Sequence, residues 1–308
     1  MSQAFVFPGQ GSQSVGMMDA FAEEQAVIKD TFSEASEILG FDLWDLVANG
    51  PVESLNQTDN TQPAMLTAGV ATWRAYKNAG GTDPSFMAGH SLGEYTALVC
   101  AGAMRFEDAL PLVVNRGRFM QAAVPEGIGA MAAILGLEDD QVRQVCDLAA
   151  EGDVLQPVNF NSPGQVVIAG NRAAVERGVK AAEDAGAKKA IMLPVSVPSH
   201  CDLMLPAAEK LASELAKIAI SSPSIPVIHN ADVAIYDDAE KIRDALKRQL
   251  YSPVRWVETI QFMKDKGIEA IVECGPGKVL AGLNKRIERR MPATPVIDQA
   301  SLEKVLGN

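Results

Sequence analysis

Three histidines and four cysteines are all that 308 residues contain, and no two of the cysteines form a C-x-x-C pair. Cys100, Cys146, Cys201 and Cys274 are scattered, which argues against a disulfide framework or a thiolate metal site and fits a reducing compartment. Long apolar runs are also missing. None approaches the roughly 18 residues of a membrane span. The N-terminal stretch Met1-Ser2-Gln3-Ala4-Phe5-Val6-Phe7-Pro8 has neither the basic flank nor the apolar length of a secretion signal. A cytoplasmic protein with no membrane association is expected. Basic residues are outnumbered, 27 against 39 acidic for a net charge of −12, which argues against nucleic-acid binding. Internal repeats and low-complexity tracts are absent.

What remains is ordinary globular material, 47% apolar and 21% charged, enough for one large domain or two smaller ones. Ala4-Phe7 reads as a buried strand ending in Pro8-Gly9-Gln10-Gly11-Ser12, a loop whose glycines let backbone N–H groups face a ligand. Helical patterns follow at about 24–39, 61–80 and 106–123. From Pro125 the character changes. Strands at Gly129-Leu137, Val154-Phe160, Gln165-Ala169 and Lys189-Val195 alternate with helices at 138–150 and 171–185, with Asn161-Ser162-Pro163-Gly164 as a turn. That is the β-α-β-β-α-β order of a ferredoxin-like unit. The α/β rhythm then resumes, with a helix at about 203–218, a strand at Pro226-His229, helices at 238–250 and 256–266, and the strand Ala270-Cys274 leading into another helix. The expected fold is α/β, hydrolase-like. A mostly parallel, helix-flanked sheet comes from 1–124 and 198–308, and a small ferredoxin-like subdomain, 125–197, is inserted into it.

The sharpest local pattern is Phe86-Met87-Ala88-Gly89-His90-Ser91-Leu92-Gly93-Glu94-Tyr95, a G-x-S-x-G between a short strand and a helix. A serine on such a turn stands clear of the sheet, and the helix behind it aims N–H groups at any oxyanion formed nearby. The competing reading is a glycine-rich turn whose serine only caps the helix. A nucleophilic serine needs a base. His90 adjoins Ser91 and points away across the turn, as a structural or binding group. His229 ends a strand. His200, in Val197-Pro198-Ser199-His200-Cys201, sits in a proline-bearing loop that displays side chains at a sheet edge. Cys201 reads as a small buried residue. Arg116 shares its helix face with Leu112, Val113, Phe119 and Met120. A buried guanidinium there calls either for a structural ion pair with a core carboxylate or for a ligand carboxylate. Gly9-Gln10-Gly11 with Gly16, and Gly275-Pro276-Gly277-Lys278, lack the spacing of nucleotide-binding loops.

Five stretches in order, Phe7-Pro8-Gly9-Gln10-Gly11-Ser12-Gln13, Gly89-His90-Ser91-Leu92-Gly93-Glu94, Arg116-Gly117-Arg118-Phe119-Met120, Asn159-Phe160-Asn161-Ser162-Pro163-Gly164-Gln165 and Pro198-Ser199-His200, resemble the malonyl-CoA:acyl carrier protein transacylases of bacterial type II fatty-acid synthesis. The likeness runs from residue 5 to about 287. It implies Ser91 as nucleophile, His200 as general base, Arg116 on the malonyl carboxylate, and the N–H groups of Gln10 and Leu92 as oxyanion hole. It also implies that the main-chain oxygen of Gln249 orients the histidine in a dyad without an acid. Asn159 and Asn161, with His90, would line the cleft near coenzyme A or the carrier's arm. The resemblance implies no cofactor, the coenzyme A thioester being a substrate, and a monomer that partners malonyl-CoA and acyl carrier protein. Carrier proteins are acidic, so docking needs local basic patches. Lys188-Lys189 and, on a late helix, Lys285-Arg286 with Arg289-Arg290 are the candidates. Modular polyketide acyltransferases carry short motifs before the histidine that track extender choice; here Val197-Pro198-Ser199 fits the fatty-acid enzymes, and small Ser199 does not by itself exclude a branched malonyl unit. A serine hydrolase or thioesterase with the same elbow, and a non-catalytic carrier-binding subunit, are the rival readings.

Overall fold

Apolar residues fill both faces of the first strand. The computed structural model describes residues 2–195 and 197–307, so Met1, Ser196 and Asn308 of the predicted segments lie outside it. The strands are β1 (Gln3–Phe7), β2 (Phe86–Gly89), β3 (Gly129–Leu135), β4 (Leu155–Ser162), β5 (Gln165–Asn171), β6 (Lys189–Met192), β7 (Val227–Ile228), β8 (Ala270–Cys274) and β9 (Ala293–Val296). On β1, Phe5 and Phe7 join one apolar cluster while Ala4 and Val6 join another on the opposite side. A strand buried on both faces demands cover on both, the condition for a helix-flanked parallel sheet. That sheet is present, in the order β7-β2-β1-β8-β9, with every pair parallel. On one face the helix Thr58–Asn78 brings Trp73 and Tyr76 against Phe5, at ring-centroid distances of 5.5 and 4.8 Å. On the other face Trp256, Ile260 and Met263, from the helix Trp256–Asp265, pack on Ala4, Val6 and Ile271.

The second sheet is antiparallel, in the order β4-β5-β3-β6. One face, with Ala132, Ile134, Val166 and Ile168, is covered by the helices Asp139–Ala150 and Arg172–Asp184. The other, with Met131, Val158, Val167 and Ala169, packs on Cys201, which is fully buried. A backbone bridge joins the outer strand to the larger body: Phe160 N–H donates to Val254 O at 3.0 Å, and Val254 N–H donates to Val158 O at 2.9 Å.

Three expectations need correction. Asn161 and Ser162 belong to β4, not to a turn: Ser162 pairs with Gln165, leaving Pro163-Gly164 as a two-residue connection with Gly164 at φ 70°. The turn chemistry of Pro-Gly is real, but ladder pairing extends to the last residue before it. Secondly, the helix Val279–Ile287 ends before Arg289 and Arg290. Thirdly, β9 and the short helices Asp19–Glu24, Leu43–Asn49 and Gln299–Leu306 had no counterpart in the sequence reading. β9 carries Pro295 and lies at the sheet edge, where a residue without an N–H is tolerated. No helix among the described residues is long and apolar enough to cross a membrane.

The elbow is held against β1 by contacts that only glycine permits. A Cβ on Gly93 would sit 2.0 Å from Phe7 O, and one on Gly89 would sit 1.8 Å from Gly93 C. Gly93→Ala is therefore expected to cost about 4 kcal/mol or more in urea or thermal denaturation. Gly282→Ala, in a helix where a Cβ meets nothing within 4 Å, is expected to be neutral or stabilising by up to about 1 kcal/mol.

Candidate active site

Register places the site. Phe7 on β1 pairs with Gly89 on β2, so the loops leaving these strands at their C-terminal ends share one rim, the usual ligand position in open α/β sheets. The loop after β1 reaches the elbow because Gly9 has no side chain: a Cβ there would lie 2.3 Å from His90 O. Gln10 and Leu92 thus come to one cleft, and among the described residues neither N–H has a backbone acceptor.

Ser91 has φ 52°, a strained value for a residue with a side chain. Two amides brace it. Its N–H donates to Asn230 Oδ1 at 2.7 Å, while Asn230 Nδ2 donates to Gly89 O at 2.7 Å. Its carbonyl accepts from Gln249 Nε2 at 2.9 Å. His200 lies opposite, with Nε2 2.8 Å from Ser91 Oγ and Nδ1 2.7 Å from Gln249 O. A carbonyl can only accept, so Nδ1 carries the proton and Nε2 is free to take one from the serine. His200 is itself at φ 67°, and its N–H donates to Leu250 O at 2.9 Å. Burial, and after it the Arg116 guanidinium, push the imidazole pKa down to about 3, so the ring is neutral in the resting site.

Arg116, 1% exposed, comes from the helix Phe106–Ala123. That helix approaches Thr58–Asn78 closely at Gly117, where a Cβ would lie 2.8 Å from Asp59 Cα. The approach brings Gln62 Oε1 to 2.9 Å from Arg116 Nη1. Nη2 donates to Gln249 Oε1 at 3.0 Å and to Ser91 Oγ at 3.2 Å. The guanidinium also faces the Tyr95 ring, 5.3 Å from its centroid. These direct partners are neutral, and Nε is buried without one. Among the described residues no carboxylate forms an ion pair with Arg116, so the structural ion pair that the sequence allowed is not what holds it.

Gln10, His90, Ser91, Leu92, Arg116, Asn159, Asn161 and His200 line one cleft of about 630 Å³. His90 does not point away: its Nε2 is 2.8 Å from Asn161 Oδ1 and its ring packs on Trp256, with burial lowering its pKa. The bulk of Trp256 behind the ring and the acceptor on β4 turn it into the cleft. Gln249 lies fully buried beneath the serine. Lys188, Lys189, Lys285 and Arg286 are exposed outside. Sequence reasoning passed over Gln62, Glu94 and Asn230, all buried and all contacting this group. The periodicity argument that singled out Arg116 applies equally to Glu94, whose helix neighbours Ala97 and Leu98 are apolar, and to Gln62, followed by Met65 and Leu66.

An acyl transferase domain family model matches residues 4–302. The malonyl CoA-acyl carrier protein transacylase of Salmonella typhimurium (strain LT2) is 57% identical over 98% of each chain. The chain belongs to the malonyl CoA-acyl carrier protein transacylase family. It is accordingly an acyltransferase. The Escherichia coli (strain K12) transacylase is 56% identical over 98% of each chain. Among solved structures, the transacylase of Coxiella burnetii superposes with a TM-score of 0.99 at 52% identity, covering 100% of this chain and 97% of the other. A malonyl-transacylase in complex with its type II PKS acyl-carrier protein gives 0.99 at 54% identity and full coverage of both.

The depressed His200 pKa has a testable sign. The neutral, proton-accepting form persists as pH falls through the ordinary imidazole value of 6.5. kcat/KM for acyl loading, which reports the free enzyme, is therefore expected to stay level between about pH 8 and 5. A fall centred near the ordinary imidazole value would contradict it.

Proposed function

We propose that the chain moves a malonyl group from malonyl-CoA to the pantetheine thiol of acyl carrier protein through a malonyl-Ser91 ester, in fatty-acid synthesis. The observation that carries this reading is Arg116: a buried cation with neutral partners, 3.2 Å from the nucleophile's oxygen. Ser91 Oγ attacks the thioester carbonyl as His200 Nε2 takes its proton. The N–H groups of Gln10 and Leu92 donate to the oxyanion, a contact typically supporting about 10²–10³ in rate. The imidazolium then gives its proton to the departing coenzyme A sulfur, and the ester remains. The carrier's thiol loses its proton to His200, attacks the ester, and Ser91 leaves protonated. In place of a triad acid, the Gln249 main-chain oxygen orients His200. No cofactor is required, since the coenzyme A thioester itself is the substrate. Arg116 pairs with the malonyl carboxylate, and an acetyl group would leave that cation unmatched. Asn159, Asn161 and His90 line the path of the coenzyme A or carrier arm. We also read 125–197 as an inserted subdomain, because its two helices and its sheet close an apolar cluster of their own.

The docking surface we assign to the carrier is basic. Lys188 packs over Gly136, and Gly136 N–H donates to Gly164 O in the Pro163-Gly164 connection. Arg286 donates to Gln165 Oε1 at 2.7 Å at the other side of that connection, and Gln165 lines the cleft. The hairpin thus ties Lys188 and Arg286 to the segment that carries Gln165, and their sequence neighbours Lys189 and Lys285 extend a basic surface suited to an acidic partner.

Intact-mass measurement after brief exposure to malonyl-CoA alone is expected to show a malonyl adduct that persists, and none in Ser91→Ala. A hydrolase would release coenzyme A steadily without accumulating adduct. Arg116→Ala is expected to lower malonyl loading about 10- to 100-fold relative to acetyl loading. Reversing Lys285 and Arg286 to glutamate is expected to raise the carrier's KM about tenfold and leave that of malonyl-CoA unchanged. Equal changes in both constants would remove the docking assignment.

A further inference from the structure

Beneath the nucleophile lies a carboxylate that the mechanism above does not use. Glu94, the third residue after Ser91, is fully buried. Its Oε1 accepts from His229 Nδ1 at 2.7 Å. Its Oε2 accepts from Asn230 N–H at 3.0 Å and from Gln249 Nε2 at 2.8 Å. Two of these donors belong to the residues that brace Ser91. The Gln249 amide is the link to the substrate side: Nε2 faces two acceptors, Ser91 O and Glu94 Oε2, so Oε1 is left to face Arg116 Nη2. Turned over, the amide would set its oxygen against a carbonyl and a carboxylate and its NH2 against a guanidinium, three repulsive contacts in a dry interior. Glu94, together with Ser91 O, therefore sets which end of Gln249 meets Arg116.

Charge points the same way. Arg116 is fixed by Gln62, Gln249, Ser91 and the Tyr95 ring, none of them anionic. A guanidinium stripped of water and given only neutral partners is unstable in place. Burial lowers the guanidinium pKa, and Tyr95 and then Glu94, the carboxylate reached through Gln249, oppose that shift. We propose that Glu94 is a positioning residue for carboxylate selection: through the Gln249 side chain it holds Arg116 at the nucleophile, poised for the acyl carboxylate. The inference rests on the reading of Arg116 given above and extends it inward by two residues.

Glu94→Gln keeps the shape and an oxygen for Gln249 Nε2 but removes the charge, so that bond falls from charge-assisted to neutral and the carboxylate's field on Arg116 is lost. Its amide NH2 can face His229 if that ring moves its proton to Nε2, an atom with no partner to lose. The test follows malonyl and acetyl loading of Ser91 by rapid-quench intact mass in wild type, Glu94→Gln, Arg116→Ala and the double variant. Glu94→Gln is expected to lower the malonyl-to-acetyl loading ratio about tenfold, and to change it no further in the Arg116→Ala background. An equal loss for both acyl groups, or an unchanged ratio, would overturn the inference and leave Glu94 as scaffolding for the elbow. Should Glu94→Gln fail to fold, Glu94→Asp draws the carboxylate back from Gln249 Nε2 while leaving Gln249 itself, and its bond to Arg116, in the chain. The same drop in ratio supports the proposal, and an unchanged ratio overturns it. If Arg116→Ala itself leaves the ratio unchanged, the carboxylate reading of Arg116 falls, and this inference with it. If Arg116→Ala moves the ratio and Glu94→Gln does not, only the role of Glu94 falls.

Discussion

A positive charge with almost no access to water stands beside a serine hydroxyl, and much of the surrounding structure answers to it. Desolvating a guanidinium is costly. Here the cost is spread over the Gln62 and Gln249 amide oxygens, the Ser91 hydroxyl, the face of Tyr95 and the nearby Glu94 carboxylate. Each compensating group is itself buried or half-buried and so needs partners of its own. Those demands generate the polar network that runs from Arg116 through Gln249 to Glu94, His229 and Asn230. The same charge reaches His200 and helps keep its imidazole neutral.

Backbone close approaches do the rest. Gly9, Gly89 and Gly93 let the β1 loop, the β2 end and the following helix touch main chain to main chain. The result is a turn in which Ser91 is held at a positive φ by amides on both sides rather than by its own side chain. Its hydroxyl is left free for His200 and Arg116.

Much of this was legible in the chain. The alternation of strands with long helices announced a covered parallel sheet, and the β-α-β-β-α-β order after Pro125 announced the antiparallel one. The Gly-x-Ser-x-Gly pattern and the scarcity of histidine pointed to Ser91 and His200, which stand 2.8 Å apart. Arg116 was visible as a charge on an apolar helix face, but its partners were not, because they come from the distant segments 62, 91 and 249, which only the tertiary fold brings together. Asn230 was illegible for a similar reason: nothing local distinguishes an asparagine at a strand end from one that bridges Gly89 and Ser91. The end of β4 was misjudged because Asn-Ser-Pro-Gly has turn composition throughout, whereas pairing with β5 decides where the strand stops.

The stretch from Gln249 to Val254 has a mechanical consequence. At one end it receives both hydrogen bonds that seat His200, from Nδ1 to Gln249 O and from the backbone N–H to Leu250 O. At the other it is stitched to β4, the strand that carries Asn159 and Asn161. His200 and the cleft wall therefore hang from one short strap. Tilting the second sheet would pull on the segment that seats the imidazole.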